Sequence, residues 1–262
     1  MSTTADETKY IKIVSKTTRE LENYKTIDRI DPLFQYHIGN PQIVTETEAE
    51  IHLQFPKTGQ SLDKLSNYAT LSYSKFLHGF SNIFKAITEM NKVGFYHLDI
   101  KSSNITMDPM YRFKLIDFGL SGAIRRDTVF LTPYVFWPFE TRLLARYQED
   151  LCTVMSHEIF GSYIANSYIR TFIAQTEKDT SIIKDNYQKL RKLKEAECMA
   201  IIYAKIDVYS LGVTLHDMLQ VLDVPRDLRD RLRRLCLRMT DFDIFKRLTC
   251  SEALEQYKAI LS

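Results

Sequence analysis

The sequence predicts an α+β fold in which strands lie near the N-terminus and helices make up most of the remainder. Two segments rich in β-branched and aromatic residues, Tyr10–Val14 and Ile51–Phe55, are typical of strands. Farther along, apolar residues recur at spacings of three and four from about Ser72 to Val93, which indicates a long buried helix. The 262 residues are enough for one large domain or two small lobes.

Between the two strands, the sequence predicts a helix that begins near Thr17 and ends at Asp31-Pro32. Thr17 stands three residues before Glu20, the spacing of a capping box, and a proline cannot continue a helix. An apolar-rich segment at 33–39 then predicts another strand. The buried face of the helix is expected to carry residues spaced by three, namely Leu21, Tyr24, Ile27 and Ile30.

The second half of the chain is mainly helical by its apolar spacing. Ser61–Leu65 predicts a short helix, and Gly94 ends the long one. Two closing helices are predicted at 227–239 and 250–261. The charged stretch from Ile183 to Glu195 favours a solvent-exposed helix, with a partner-binding insert as the alternative.

Composition narrows the classes of function. Apolar residues make up 45% and charged residues 26%, and a net charge of +2 does not favour nucleic acid or an anionic membrane as a partner. The sequence has no run of about 18 apolar residues and no apolar N-terminal segment, which predicts neither a membrane span nor a signal peptide. The four cysteines are widely separated, which favours reduced thiols and a cytoplasmic location over disulfides or a zinc site.

The segment from His97 to Asn104 carries the most specific indication of function. Asp99 and Asn104 are five residues apart, and Asp117 follows thirteen residues later. Apolar residues flank all three, which predicts a hairpin of short strands with polar residues at its ends. A carboxylate can accept the proton of an attacking hydroxyl, while an amide oxygen and a second carboxylate can hold Mg²⁺ against nucleotide phosphates. The spacing therefore points to phosphoryl transfer, although Asp99 and Asn104 could also merely cap turns.

These segments resemble the catalytic loop, H-R-D-x-x-x-x-N, and the D-F-G segment of eukaryotic-type protein kinases. The resemblance implies that Asp99 is the catalytic base and that Lys101 steadies the transferred phosphate. It also implies that Asn104 and Asp117 hold Mg²⁺. Leu98 stands where these kinases have the arginine that pairs with a phosphorylated activation loop, which implies that this form of control is absent.

The same resemblance assigns nucleotide contacts to the N-terminal part. Lys12 would contact the α and β phosphates and Glu20 would position it, with Glu22 as a competing candidate. The backbone from Gln54 to Pro56 would bond the adenine. Protein kinases place a glycine-rich loop before this lysine, but only 11 residues stand before Lys12 and the first glycine is Gly39. The chain is therefore expected to lack that loop, so that either another element encloses the nucleotide or nucleotide handling is impaired.

Further matches lie beyond the D-F-G segment. Residues 120–140 correspond to an activation segment, in which Thr132 resembles the threonine near the catalytic aspartate and Glu140 resembles the glutamate of the A-P-E motif. Asp207 fits the D-x-W/Y-x-x-G start of a large-lobe helix, whose aspartate holds the catalytic loop's backbone. Arg247 fits the arginine that pairs with the A-P-E glutamate.

The resemblance implies a bilobal protein-kinase-like fold with a reduced β-rich small lobe at about 10–56 and a mainly helical large lobe at about 57–262. Residues 1–9 are expected to be flexible. The expected function is that of an ATP- and Mg²⁺-dependent serine/threonine protein kinase, divergent and N-terminally shortened like those of large DNA viruses. Its partner would be a protein bearing serine or threonine, in the cytoplasm of the cell or of a host.

Two alternatives stay open. A catalytically inactive pseudokinase that serves as a binding scaffold is favoured by the missing glycine loop, whereas the complete set of Asp99, Lys101, Asn104 and Asp117 disfavours it. A small-molecule phosphotransferase of the aminoglycoside-kinase type also uses an H-x-D-x-x-x-x-N loop. The matches at Lys101, Glu140, Asp207 and Arg247 argue against that second alternative.

Overall fold

The structure is a computed structural model that describes residues 9–32, 35–37, 41–65, 68–125, 134–145, 166–176 and 178–262. Within these ranges the strands all lie before residue 116 and helices dominate the remainder, so the predicted α+β fold is confirmed. The strands are β1 (Lys9–Ser15), β2 (Gln42–Glu46), β3 (Glu50–Pro56), β4 (Gln60–Ser61), β5 (Ile105–Met107) and β6 (Phe113–Leu115). The helices are α1 (Glu20–Ile30), α2 (Tyr73–Lys92), α3 (Thr141–Ala145), α4 (Ser167–Thr176), α5 (Ile182–Leu190), α6 (Glu195–Val221), α7 (Arg226–Met239) and α8 (Cys250–Leu261).

The N-terminal sheet has the antiparallel strand order β1-β3-β2. Lys12 lies opposite the buried Leu53, so its side chain belongs to the inner face, where α1 packs. Ile11 and Ile13 alternate with it and are both 56% exposed. The strand β2 was not predicted, because its residues are all exposed and show no apolar alternation that marks a buried face.

The helix α1 begins two residues later than the capping-box spacing predicts. Its N-cap is Arg19, which makes no side-chain cap bond, and the predicted Thr17–Glu20 capping box is wrong. The physical reason is that the Glu20 carboxylate bonds Lys12 instead of turning back to the chain before the helix. The helix ends at Ile30, immediately before Asp31-Pro32, as predicted.

A second antiparallel sheet, β4-β5-β6, carries the predicted hairpin between Asn104 and Asp117. Of the segment predicted as a strand at 33–39, only 35–37 lies within the described residues. There His37 forms a single parallel bridge with Leu115 of β6, rather than a strand. A 3₁₀ turn at Leu62–Lys64 occupies the position of the predicted short helix.

The helix α2 confirms the predicted long buried helix. It runs from Tyr73 to Lys92, with Ser72 as its N-cap and with Gly94 at a left-handed φ of 70° just beyond its end. Its buried face packs against β6 and α8, and the aromatic rings of the contact are Phe76, Phe80, Phe84, Phe113 and Tyr257. The closing helices α7 and α8 lie within one residue of their predicted bounds.

The helix α6 corrects one prediction. It has 27 residues, and Asp207 lies near its middle rather than at a helix start. The charged stretch at 183–195 has the predicted solvent-exposed face, but α5 also buries Ile183, Tyr187 and Leu190 in a core shared with α6. Within the described ranges, α6 is also the one helix whose length and composition would suit a membrane span, and 78% of its most apolar window is buried inside the fold, as in a core helix.

Candidate active site

Strand β1 and helix α1 place Lys12 and Glu20 in direct contact. The Lys12 Nζ atom donates to both carboxylate oxygens of Glu20 at 2.8 Å. It also donates to Asp117 Oδ1 at 2.8 Å, across 105 residues of sequence. Glu22, the competing candidate, is exposed on the opposite side of α1. One ammonium therefore joins the sheet, the helix and the segment that follows β6.

The Asp117 carboxylate is held ionised by this contact. Burial alone would raise its pKa, but the hydrogen bonds from Lys12 and from the Gly119 N–H, with the charge of Lys12, lower it overall. The pKa of Lys12 is raised, because the bonds to Asp117 and Glu20 outweigh a burial effect that would lower it. Each partner thus favours the charged form of the other.

We expect this ion pair to make stability depend on pH at the acid end. A lowered pKa in the folded state adds stability above the unfolded value of about 3.9, and that stability is lost as the pH falls through the folded value. The free energy of unfolding, measured in urea below pH 4, should therefore decline more steeply in the parent than in Asp117→Asn. Parallel curves for the two proteins would contradict this account.

The residues predicted to form the catalytic loop make a compact cluster around Asp99. The Lys101 Nζ atom and the Asn104 Nδ2 atom both donate to Asp99 Oδ2 at 2.8 Å. Asn104 also donates to the Asp99 carbonyl oxygen at 2.9 Å. With one oxygen of Asp99 occupied twice, the other is left to face an incoming group. The Lys101 ammonium also lies 5.5 Å from the centre of the Tyr134 ring.

The backbone brings Asn104 and Asp117 together. The Ile116 N–H donates to the Asn104 carbonyl at 3.0 Å, so the two metal candidates stand beside each other at the end of the β5–β6 hairpin. Asp117 has a left-handed φ of 64°, which turns it towards Lys12 while the next residue, Phe118, points into the core. Phe118 packs there on Tyr24 of α1, with ring centres 5.1 Å apart.

The donor set at this position suits Mg²⁺. Because the amide nitrogen of Asn104 is committed to Asp99, its oxygen is the atom left for a metal. Asp117 is ionised and shares only Oδ1 with Lys12, which leaves its second oxygen. Carboxylate and amide oxygens are the ligands that Mg²⁺ prefers. No group of three or more His, Cys, Asp or Glu side chains that could hold a metal occurs in the part of the chain the structure describes.

Asp207 lies buried in α6 and holds the backbone that precedes Asp99. Its carboxylate accepts from the backbone N–H of His97 at 2.9 Å and of Leu98 at 2.8 Å, and from the Asn91 amide at 3.2 Å. Leu98 itself has a left-handed φ of 66°, a conformation that these bonds stabilise. Its carbonyl accepts from Trp137 Nε1 at 2.8 Å, a contact the sequence did not suggest. The loop is thus fixed from two sides.

Glu140 and Arg247 form an ion pair deep in the helical part. The Arg247 Nη2 atom lies 3.1 Å from Glu140 Oε1, and both side chains are at most 2% exposed. The Arg247 Nε atom donates to the Asp241 carbonyl at 2.8 Å, and the guanidinium lies over the Tyr209 ring. Burial raises the pKa of Glu140, and Arg247 opposes that effect. The pair links the segment after Trp137 to the turn before α8.

A cleft of about 810 Å³ opens beside the Lys12 cluster. The described lining residues do not include the stretch from Gln54 to Pro56 that was expected to bond adenine. Gln54 lies inside the central strand β3, and Pro56 has no N–H to donate. Gly59 fits tightly there with a φ of 122°, and a Cβ would lie 2.3 Å from the Met107 carbonyl oxygen. The lining residues are Tyr10, Lys57, Thr58, Gly59, Gln60, Ser61, Lys64, Thr106 and Ile116.

Sequence reasoning missed two residues of the site, Trp137 and Asn23. Asn23, one turn after Glu20 on α1, donates to the carbonyls of Phe118 at 2.7 Å and Ser121 at 2.8 Å. Its position on the Glu20 face was the only available signal. Thr132 lies outside the described residues, as does the rest of 126–133.

Comparisons with known proteins match the first half of the chain to protein kinases. A family model described as "Protein kinase domain" matches residues 6–139. A probable serine/threonine-protein kinase of Dictyostelium discoideum is 30% identical over 123 residues, which cover 43% of this chain and 19% of that protein. CBL-interacting serine/threonine-protein kinase 26 of Arabidopsis thaliana is 26% identical over 115 residues, 44% of this chain and 25% of that protein. Serine/threonine-protein kinase SIK2 of Gallus gallus is 30% identical over 118 residues, 43% of this chain and 15% of that protein. The matched parts therefore span a quarter or less of these relatives.

Proposed function

Because the chain belongs to the protein kinase domain family, we propose that it transfers the γ-phosphate of ATP to serine or threonine hydroxyls of proteins, in a Mg²⁺-dependent reaction. The observation that carries the proposal is the contact of the Lys12 ammonium with Glu20 and Asp117 at 2.8 Å. It supports the proposal because the ammonium proposed to bind phosphate lies next to the carboxylate proposed to hold Mg²⁺, with Asn104 adjacent.

Each residue then has one task in the reaction. Asp99 accepts the proton of the attacking hydroxyl through the oxygen that Lys101 and Asn104 leave open. Lys101 moves from Asp99 towards the transferred phosphate and neutralises its charge. Lys12, held by Glu20, contacts the other phosphates. Bound Mg²⁺ supplies positive charge against the phosphate oxygens, and Asn104 and Asp117 are the residues that hold it.

A catalytically inactive pseudokinase that serves as a binding scaffold is the second candidate. It is favoured by Pro56, which removes a backbone donor from the stretch expected to bond the adenine. The intact contacts of Asp99 with Lys101 and Asn104 favour the first candidate, because binding alone does not require them.

Transfer of labelled phosphate from ATP to a basic protein substrate tests the proposal. The parent should label the substrate with Mg²⁺ and not with EDTA, and Asp117→Ala should lose transfer. Asp223→Ala, which removes an exposed carboxylate just after α6, is the matched control and should keep the parent rate.

If no phosphate is transferred, the effect of ATP on the melting temperature distinguishes two explanations. Absence of transfer together with absence of any ATP-dependent rise in melting temperature contradicts nucleotide use altogether. A rise in melting temperature without transfer, over several protein substrates, supports the scaffold.

A further inference from the structure

The ring of His37 lies between two carboxylates, that of Asp28 within helix α1 and that of Asp31 just after the helix ends. The ring is fully buried, with Nδ1 3.0 Å from Asp31 Oδ2 and Nε2 2.9 Å from Asp28 Oδ1. Both neighbours are acceptors, so both ring nitrogens need a hydrogen for both contacts to be hydrogen bonds. With both hydrogens present, the ring would form charge-assisted bonds on each side. We call the three residues the His37 clasp.

The clasp joins the end of α1 to the strand that leads into Asp117. Asp31 also accepts from the backbone N–H of Gln35 at 2.9 Å and of Tyr36 at 2.6 Å, which fixes the segment that carries His37. The Leu115 N–H of β6 donates to the Tyr36 carbonyl at 2.7 Å. Two residues after Leu115 comes Asp117. A displacement of the clasp therefore displaces α1 relative to β6.

The clasp also contacts the residue between Asp117 and Gly119. The ring of His37 meets Phe118 edge to face, with centres 6.2 Å apart. Phe118 in turn lies against Tyr24 of α1, and its carbonyl accepts from Asn23. Three residues along α1 thus contact the Asp117 segment: Glu20 through Lys12, Asn23 directly, and Asp28 through His37.

We propose that His37 is a positioning residue that fixes α1 on the Asp117 segment and thereby keeps Glu20 against Lys12. A helix of 11 residues is about 16 Å long and moves as a rigid body, so an anchor at its C-terminal end sets the place of its first residue. Glu20 is that first residue. The effect on catalysis rests on the proposed kinase activity, whereas the effect on α1 does not.

The test compares His37→Gln and Asp28→Ala with the parent in the full chain. The second variant keeps the bond to Asp31, so it reports on the clasp even if the first fails to fold. Arg29→Gln, an exposed charge on the same helix, is the matched control. The measurements are amide hydrogen exchange of Asn23 and Tyr24, the ring ¹⁵N spectrum of His37, and the KM for ATP beside the KM for an acceptor protein.

The parent should show hydrogen on both ring nitrogens of His37. Both clasp variants should speed amide exchange at Asn23 and Tyr24 about tenfold, because each removes at least one charge-assisted hydrogen bond. Both should also raise the KM for ATP and leave the KM for the acceptor protein unchanged. Exchange and KM values equal to those of Arg29→Gln would overturn the proposal. If the parent transfers no phosphate, the proposed function fails, and the exchange and ¹⁵N measurements still decide whether His37 positions α1.

Discussion

Replacing Asp99 by asparagine is expected to lower the rate of phosphoryl transfer by a factor of about 10²–10⁴, the usual contribution of a general base. Asparagine has nearly the same shape and can still accept from Lys101 and Asn104 through its amide oxygen. It cannot take a proton from a hydroxyl. The loss should therefore appear in kcat, measured with labelled ATP and a protein substrate, with little change in melting temperature.

The control for this change is Asp223→Asn, which alters charge equally at an exposed position outside the cluster. A further variant, Asn104→Ala, should reduce transfer and also weaken the dependence on Mg²⁺, because it removes both a donor to Asp99 and a metal candidate. Transfer by Asp99→Asn at the parent rate would show that another group takes the proton.

Replacing Arg247 by leucine is expected to destabilise the fold by about 3–5 kcal/mol, the cost of leaving a buried partner charge unpaired. Glu140 would stay in the core with no guanidinium beside it. Glu140 Oε2 and Arg247 Nη1 have no hydrogen-bond partner among the described residues, so no other described side chain or backbone group takes up these atoms. The free energy of unfolding in urea measures the effect.

The double variant Glu140→Leu/Arg247→Leu separates pairing from packing. It should recover much of the lost stability, because two apolar side chains leave no buried charge. If the single variant costs less than about 1 kcal/mol, as exposed ion pairs do, the pair is not buried in solution as it is in the structure.

The local elements could be predicted from the sequence because their signals are local. The β-branched run at Tyr10–Val14, the N-cap at Ser72 and the glycine at 94 each act within a few residues, and β1 and α2 formed where these signals place them. The pairing of Lys12 with Glu20 could be anticipated only through the resemblance. The choice between Glu20 and Glu22 depends on how α1 sits under the sheet, which no local pattern contains.

The parts that could not be predicted depend on contacts between distant segments. The helix α6 continues 12 residues before Asp207, because its N-terminal half forms a second core with α5 rather than facing water. His37 lies in a segment whose apolar character suggests a strand, yet two carboxylates and one bridge to Leu115 hold it instead. Such bonds are decided by tertiary position and leave no periodic trace in the sequence.

The central claim is that Lys12, Glu20 and Asp117 form one working phosphate site. The decisive measurement is the rate of labelled-phosphate transfer by Lys12→Met at saturating ATP. The control is Lys16→Met, which changes an exposed lysine one residue beyond the end of β1. Transfer by Lys12→Met should fall to the level of Asp99→Asn, while Lys16→Met should transfer at the parent rate. Transfer by Lys12→Met at the parent rate would contradict it.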